Sequence, residues 1–157
     1  MHSYIFQVRT TPLSENDILD SDNITEGESV FLDYTYDIEE SERETAIKNL
    51  VEQTLPKGMF SLNPDMTLTY NGGFPLWKKS YFDSVMKVTK SITPANVMDE
   101  YGTMRVLKRS ILNPFNTANL FDCGESTAEK SIELMRVVAN LSKGDKLYFG
   151  AVIGYHS

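Results

Sequence analysis

One cysteine, two histidines and one tryptophan are all that this chain of 157 residues contains of those three types. A lone Cys123 excludes an intramolecular disulfide framework and suits a reducing compartment, so the cytoplasm is the expected location. With only His2 and His156 as imidazoles, no cluster has the ligand spacing of a structural zinc site. No apolar run approaches the ~18 residues of a membrane span. The opening MHSYIFQVRTT lacks a basic stretch followed by a long apolar one, so no signal peptide and no membrane association are expected. P-loop, dinucleotide-binding, G-x-S-x-G and H-E-x-x-H patterns are all missing. Asn71-Gly72-Gly73 is a turn signal with no Lys-Ser/Thr after it. The sequence therefore specifies no cofactor and no metal.

What is present describes a globular chain, expected to form one domain over residues 1–157. Apolar residues make up 41% and charged residues 24%, outside the disordered range. The net charge of −7 is unevenly spread. Residues 1–44 carry twelve acids against Arg9 and Arg43, a net of −10, whereas residues 77–113 carry seven bases against three acids, a net of +4. Such blocks either neutralise each other within the fold or steer a partner of opposite sign.

Periodicity predicts α+β: a mainly antiparallel sheet of about five strands with about four helices, and one helical layer. The central strand is KLYFGAVIGY, Lys146 to Tyr155, apolar or small on both faces. Simple alternation puts Leu147, Phe149, Ala151, Ile153 and Tyr155 on one side. It leaves Gly150 and Gly154 together on the other, where a helix can pack closely. Tyr4 to Arg9 and Val30 to Tyr36 read as strands. Met59–Leu62 and Met66–Tyr70 read as a hairpin across Asn63-Pro64-Asp65. The acidic stretch Leu13 to Ser29 reads as a long loop or as a loop with a short turn of helix.

Helices are predicted over Asp37–Leu55, Trp77–Ile92, Pro94–Leu112 and Ser126–Leu141. Ser41 with Glu44, and Ser126 with Glu129, have capping-box spacing. The first stripe is Ile47, Leu50, Val51 and Leu55. The second is Trp77, Tyr81, Val85, Val88 and Ile92, predicted to be buried. The third is Val97, Tyr101, Met104, Leu107 and Ile111, interrupted by Gly102.

Candidate sites follow from this layout. Cys123, placed before a helix N-terminus, reads either as an activated thiolate or as an ordinary small residue whose pKa Asp122 and Glu125 raise. His2 and His156 meet if the first and last strands pair antiparallel. Asp20-x-Asp22 opens like a calcium loop, but Ile24 and Thr25 stand where a ligand and the turn glycine belong.

The main candidates are charged surfaces. Asp17, Asp20, Asp22, Glu26 and Glu28 form an acidic face. Lys79, Lys87, Lys90, Arg105, Lys108 and Arg109 form a basic stripe on neighbouring helices. These residues point to an acidic interaction or regulatory protein with an unidentified protein partner. A small enzyme or ligand-binding domain is the alternative, with a pocket near the 113–125 loop and Asp122 or Glu125 as acid–base group. Nucleic-acid binding by the basic helices ranks third, because the chain is acidic overall.

Overall fold

A computed structural model describes residues 3–27, 30–124 and 127–157. His2, Glu28, Glu125 and Ser126 lie outside the described residues. The fold is α+β, and its main sheet is larger and more mixed than periodicity predicts. Strands β4 (Phe60–Leu62), β5 (Leu68–Tyr70), β8 (Lys146–His156), β1 (Ser3–Arg9) and β6 (Leu120–Asp122) follow one another across it. β3 (Tyr34–Asp37) joins β8 as a sixth strand. β1 and β6 run parallel; the other pairs in this sheet are antiparallel. A two-stranded parallel sheet pairs β2 (Thr25–Glu26) with β7 (Thr127–Ala128).

β8 is the centre of the sheet, as its two apolar faces predict. One edge pairs with β1 along most of its length. The other edge is divided, with β5 on Lys146 and Leu147 and β3 on Ile153 to His156. Buried carbonyls in the gap need donors. Arg43 supplies them: Nη2 donates to Phe149 O at 3.1 Å and Gly150 O at 2.9 Å, and Nε to Gly150 O at 3.3 Å.

The simple alternation of β8 is broken by a bulge. Phe6 pairs with Val152 and Val8 with Phe149, so Gln7 alone opposes Gly150 and Ala151. Leu147, Phe149 and Val152 therefore share the larger core, while Ala151, Ile153 and Tyr155 join the smaller one. The two glycines receive no helix. Gly150 lies under Gln7 and Leu13, and Gly154 lies against the Tyr36 ring. A Cβ at either position would overlap those side chains.

The larger core is covered by helix α1 (Glu40–Asn49) and helix α4 (Ile132–Val138). α1 runs into a π-helical turn, Leu50–Thr54, closed by Leu55 N–H donating to Leu50 O at 2.9 Å. The wider turn brings Leu55 back towards the side buried by Ile47 and Leu50. The Ser41–Glu44 capping box does not form: Glu39 is the N-cap and Ser41 already lies inside the helix. α4 is shorter than predicted because Thr127 and Ala128 pair with β2 and Glu129 bridges to Phe121. The Ser126–Glu129 capping box lies partly outside the described residues, and Glu129 sits in the bridge to Phe121, ahead of α4.

The acidic stretch is a loop with two short helical turns, Glu15–Asp17 and Ser21–Asn23, and it has a packed side as well as a solvated one. Leu19, Ile24, Val30 and Leu32 pack on Ile5, Leu120, Ile153 and Tyr155, covering the second face of the sheet. Val30 and Leu32 are used there, so the strand expected from Val30 shortens to Tyr34–Asp37. The pairing with β8 begins at Tyr34, opposite His156, with Asp33 N–H donating to His156 O at 2.8 Å just before it. Helix α2 (Phe74–Lys90) and helix α3 (Arg105–Leu112) form a hairpin against each other. No described helix is long and apolar enough to cross a membrane.

Gln7 fixes the bulge. Its Oε1 accepts from Ala151 N–H at 2.9 Å and Leu19 N–H at 3.0 Å, and its Nε2 donates to Asp17 O at 2.7 Å. Gln7→Ala strands two N–H donors at a buried position. The expected loss is about 3 kcal/mol of unfolding free energy, read by urea denaturation. A loss within ordinary surface variation, about 0.5 kcal/mol, contradicts this role.

Candidate interaction surfaces

α2 and α3 form an arm anchored only at its base. Trp77 stacks on Tyr81 with ring centroids 5.2 Å apart and meets Phe115 edge-on at 6.0 Å. Tyr70 Oη accepts from Phe74 N–H at 3.1 Å, tying the start of α2 to β5. At the returning end, the buried Ser131 hydroxyl donates to Asn113 Oδ1 at 2.8 Å, and Asn113 Nδ2 donates to Thr117 O at 2.7 Å. Tyr81 Oη donates to Ile111 O at 2.8 Å and joins the two helices.

Beyond that base the arm is open to solvent. Neither α2 nor α3 has a buried residue. The predicted stripe Trp77, Tyr81, Val85, Val88 and Ile92 is half-buried at best, because each helix covers only one side of the other. The long third helix breaks up. Asp99 Oδ1 accepts from Gly102 N–H at 3.0 Å and starts a π-helical turn, Glu100–Met104, so residues 93–98 form turns at the tip. Met98 is 89% exposed, Tyr101 82%, Leu76 74% and Phe82 60%. Val97, Met104, Val106 and Ile111 are exposed as well. So many large apolar side chains exposed on one hairpin make it a candidate contact surface.

Three of the six predicted bases line a common groove. Arg105, Lys108 and Arg109 come together in a groove with Lys130, a residue sequence reasoning missed. Lys79, Lys87 and Lys90 are exposed on α2, outside that groove. Among the described residues, the ion pairs join Arg9 to Asp122, Arg43 to Glu40, Arg136 to Glu133 and His156 to Asp33. None links the acidic segment to the arm, so the two charge blocks do not neutralise each other by direct pairing there.

Asp17, Asp20, Asp22 and Glu26 are exposed. Asp17 and Asp20 rim a cleft of about 560 Å³ whose walls include Gln7, Arg9, Leu13 and Gly124. Three of these four acids accept a local hydrogen bond. Asp17 accepts from the Ser14 hydroxyl, which holds its carboxyl below the usual range, with the Ser14 backbone N–H adding to this. Asp20 accepts from Asp22 N–H, and Glu26 from Leu32 N–H. No group of three or more Asp, Glu, His or Cys among the described residues is arranged to hold a metal.

The acid–base candidates are structural in their surroundings. Asp122 is fully buried and pairs with Arg9 Nη2 at 3.0 Å. Arg9 also donates to the carbonyls of Val8, Asp122 and Gly124, at 2.8, 2.7 and 2.8 Å. Asp122 Oδ2 has no hydrogen-bond partner among the described residues. Burial pushes the Asp122 carboxyl up, and Arg9 pulls against it. Cys123 follows β6 and does not precede α4, which starts nine residues later. Burial, then the Asp122 charge, push its thiol up to about 12. His156 stacks on Tyr34 at 5.3 Å and pairs with Asp33 at 3.1 Å.

Compared with protein-family models, curated proteins and solved structures, the chain matches none.

Two predictions follow from these groups. Arg9→Met leaves a buried carboxylate without its cation, at an expected cost of about 3 kcal/mol at neutral pH. A raised folded-state pKa means the folded chain holds its proton longer. Its stability is then greatest below the ordinary carboxyl value and falls as pH rises through the raised one. Removing Arg9 extends that fall, so the deficit against wild type shrinks on acidification from pH 7.5 to 4.5 in urea titrations. A deficit independent of pH contradicts the pairing. At Cys123, a shift from 9.0 to about 12 lowers the thiolate fraction about a thousandfold at neutral pH. Iodoacetamide should alkylate it readily in urea and barely in the native protein; equal rates contradict the assignment.

Proposed function

We propose that this chain is a binding protein of the cytoplasm that docks a protein partner through the α2–α3 arm. The observation that carries this reading is a helical hairpin with no buried residue, displaying Leu76, Phe82, Met98 and Tyr101 to solvent. An element of that kind gains little from its own fold and gains its apolar burial from a partner. The arm is also the positive part of an acidic molecule. Residues 77–113 carry +4 within a total of −7, leaving −11 elsewhere.

Charge complementarity therefore favours a partner with an acidic surface that presents apolar side chains. The acids of the sheet-covering segment, Asp17, Asp20, Asp22 and Glu26, repel that partner from the rest of the molecule and orient it on the arm. A bulky exposed apolar surface, beside a fully buried Asp122 and an unreactive Cys123, favours this reading over a small enzyme.

Met98→Glu combined with Tyr101→Glu tests it. Both side chains are exposed, so the unfolding free energy should change by no more than about 0.5 kcal/mol. Capture of a stoichiometric protein from nuclease-treated host lysate should fall at least about tenfold, the equivalent of ~1.4 kcal/mol of contact energy. Undiminished capture by the folded variant contradicts the arm as the docking surface.

A further inference from the structure

Four cations converge where the end of α3 meets the chain entering α4. Arg105, Lys108 and Arg109 stand at i, i+3 and i+4, on one side of α3. Lys130 comes from the connection between β7 and α4. With Leu112 and Asn113 they line a groove of about 340 Å³. Among the described residues, no carboxylate lines it and none of the four cations forms an ion pair. The position of Asn113 is fixed by its bonds to Ser131 and Thr117, so the groove has a firm end. Burial holds Lys130 below the ordinary lysine range, with Glu129 opposing, so its ammonium is partly stripped of water.

We propose that this groove binds a compact oligophosphate, the phosphate chain of a nucleotide or an inorganic oligophosphate. Two guanidinium groups one helical turn apart offer planar forks that match phosphoryl oxygens, and two ammonium groups add point charge. Four positive charges match the three or four negative charges of a di- or triphosphate, whereas a single carboxylate would leave most of them uncompensated. Compactness separates this ligand from nucleic acid. Lys79, Lys87 and Lys90 lie outside the groove, and the −11 carried outside residues 77–113 repels a long polyanion. The site is separate from the exposed tip of the arm, so it stands or falls independently of partner docking.

The test is calorimetric titration of the full chain at low salt with inorganic tripolyphosphate, ATP and a single-stranded 12-mer. Wild type should bind one tripolyphosphate per chain, with affinity falling as salt rises. Lys130→Gln and the pair Arg105→Ala with Arg109→Ala should each weaken binding at least about tenfold. ATP and tripolyphosphate of equal affinity identify the phosphate chain as the ligand; tighter ATP identifies a nucleotide. The proposal is overturned by no binding of either compound, by binding that survives both groove variants in folded protein, or by a clear preference for the 12-mer.

Discussion

The placement of everything else depends on one buried side chain, Gln7, set opposite the bulge in β8. A regular β8 would put Ala151, Ile153 and Tyr155 on the same face as Leu147 and Phe149. The extra residue at Gly150–Ala151 splits them between two cores. Gln7 satisfies the Ala151 N–H that the bulge frees and uses its remaining groups to hold Asp17 and Leu19. The same amide thus fixes the register of the sheet and fastens the segment covering its second face. Arg43 has the parallel duty on the opposite edge, where β3 and β5 leave the carbonyls of Phe149 and Gly150 without strand partners. Polar groups buried this way cost about 1–3 kcal/mol each when unpaired, so both residues specify the fold.

The chemically capable groups are spent on that architecture. Asp122 holds Arg9, which in turn gathers the carbonyls at the end of β1 and β6. Tyr4 donates to Glu42 at 2.9 Å, linking β1 to α1, and burial with that bond pushes its hydroxyl up to about 12. Cys123 is kept protonated beside Asp122. Unused potential lies on the surface instead: apolar side chains along the arm, and at its base four cations that form no ion pair among the described residues. Both are features that associate with something outside the chain.

Much of this was legible in the sequence where a local pattern decides the outcome. β1, β8, the hairpin, and the stripe of Ile47, Leu50 and Leu55 follow from periodicity and turn residues. The bulge was not, because Gly150 and Ala151 fit an ordinary alternating strand and only Gln7, far away in sequence, makes the difference. The arm was misread for another reason. Periodicity in Trp77, Tyr81, Val85 and Val88 reports which side chains face a neighbour. It does not report whether that neighbour is large enough to exclude water. Leu19, Ile24, Val30 and Leu32, scattered among acids, signalled that the acidic stretch had an apolar side. Lys130 gave no signal, since only the tertiary return of the chain brings it to Arg105, Lys108 and Arg109.

Stability concentrated in the β8 seam, with an arm held only at its base, is the central claim. Native-state hydrogen exchange of the full chain tests it most directly. Amides of β1, β6 and β8 should exchange only through global unfolding, and those of residues 92–104 many orders faster, with α2 and α3 graded from base to tip. Uniform protection across arm and sheet would show that the arm belongs to the folded core, and would contradict the account.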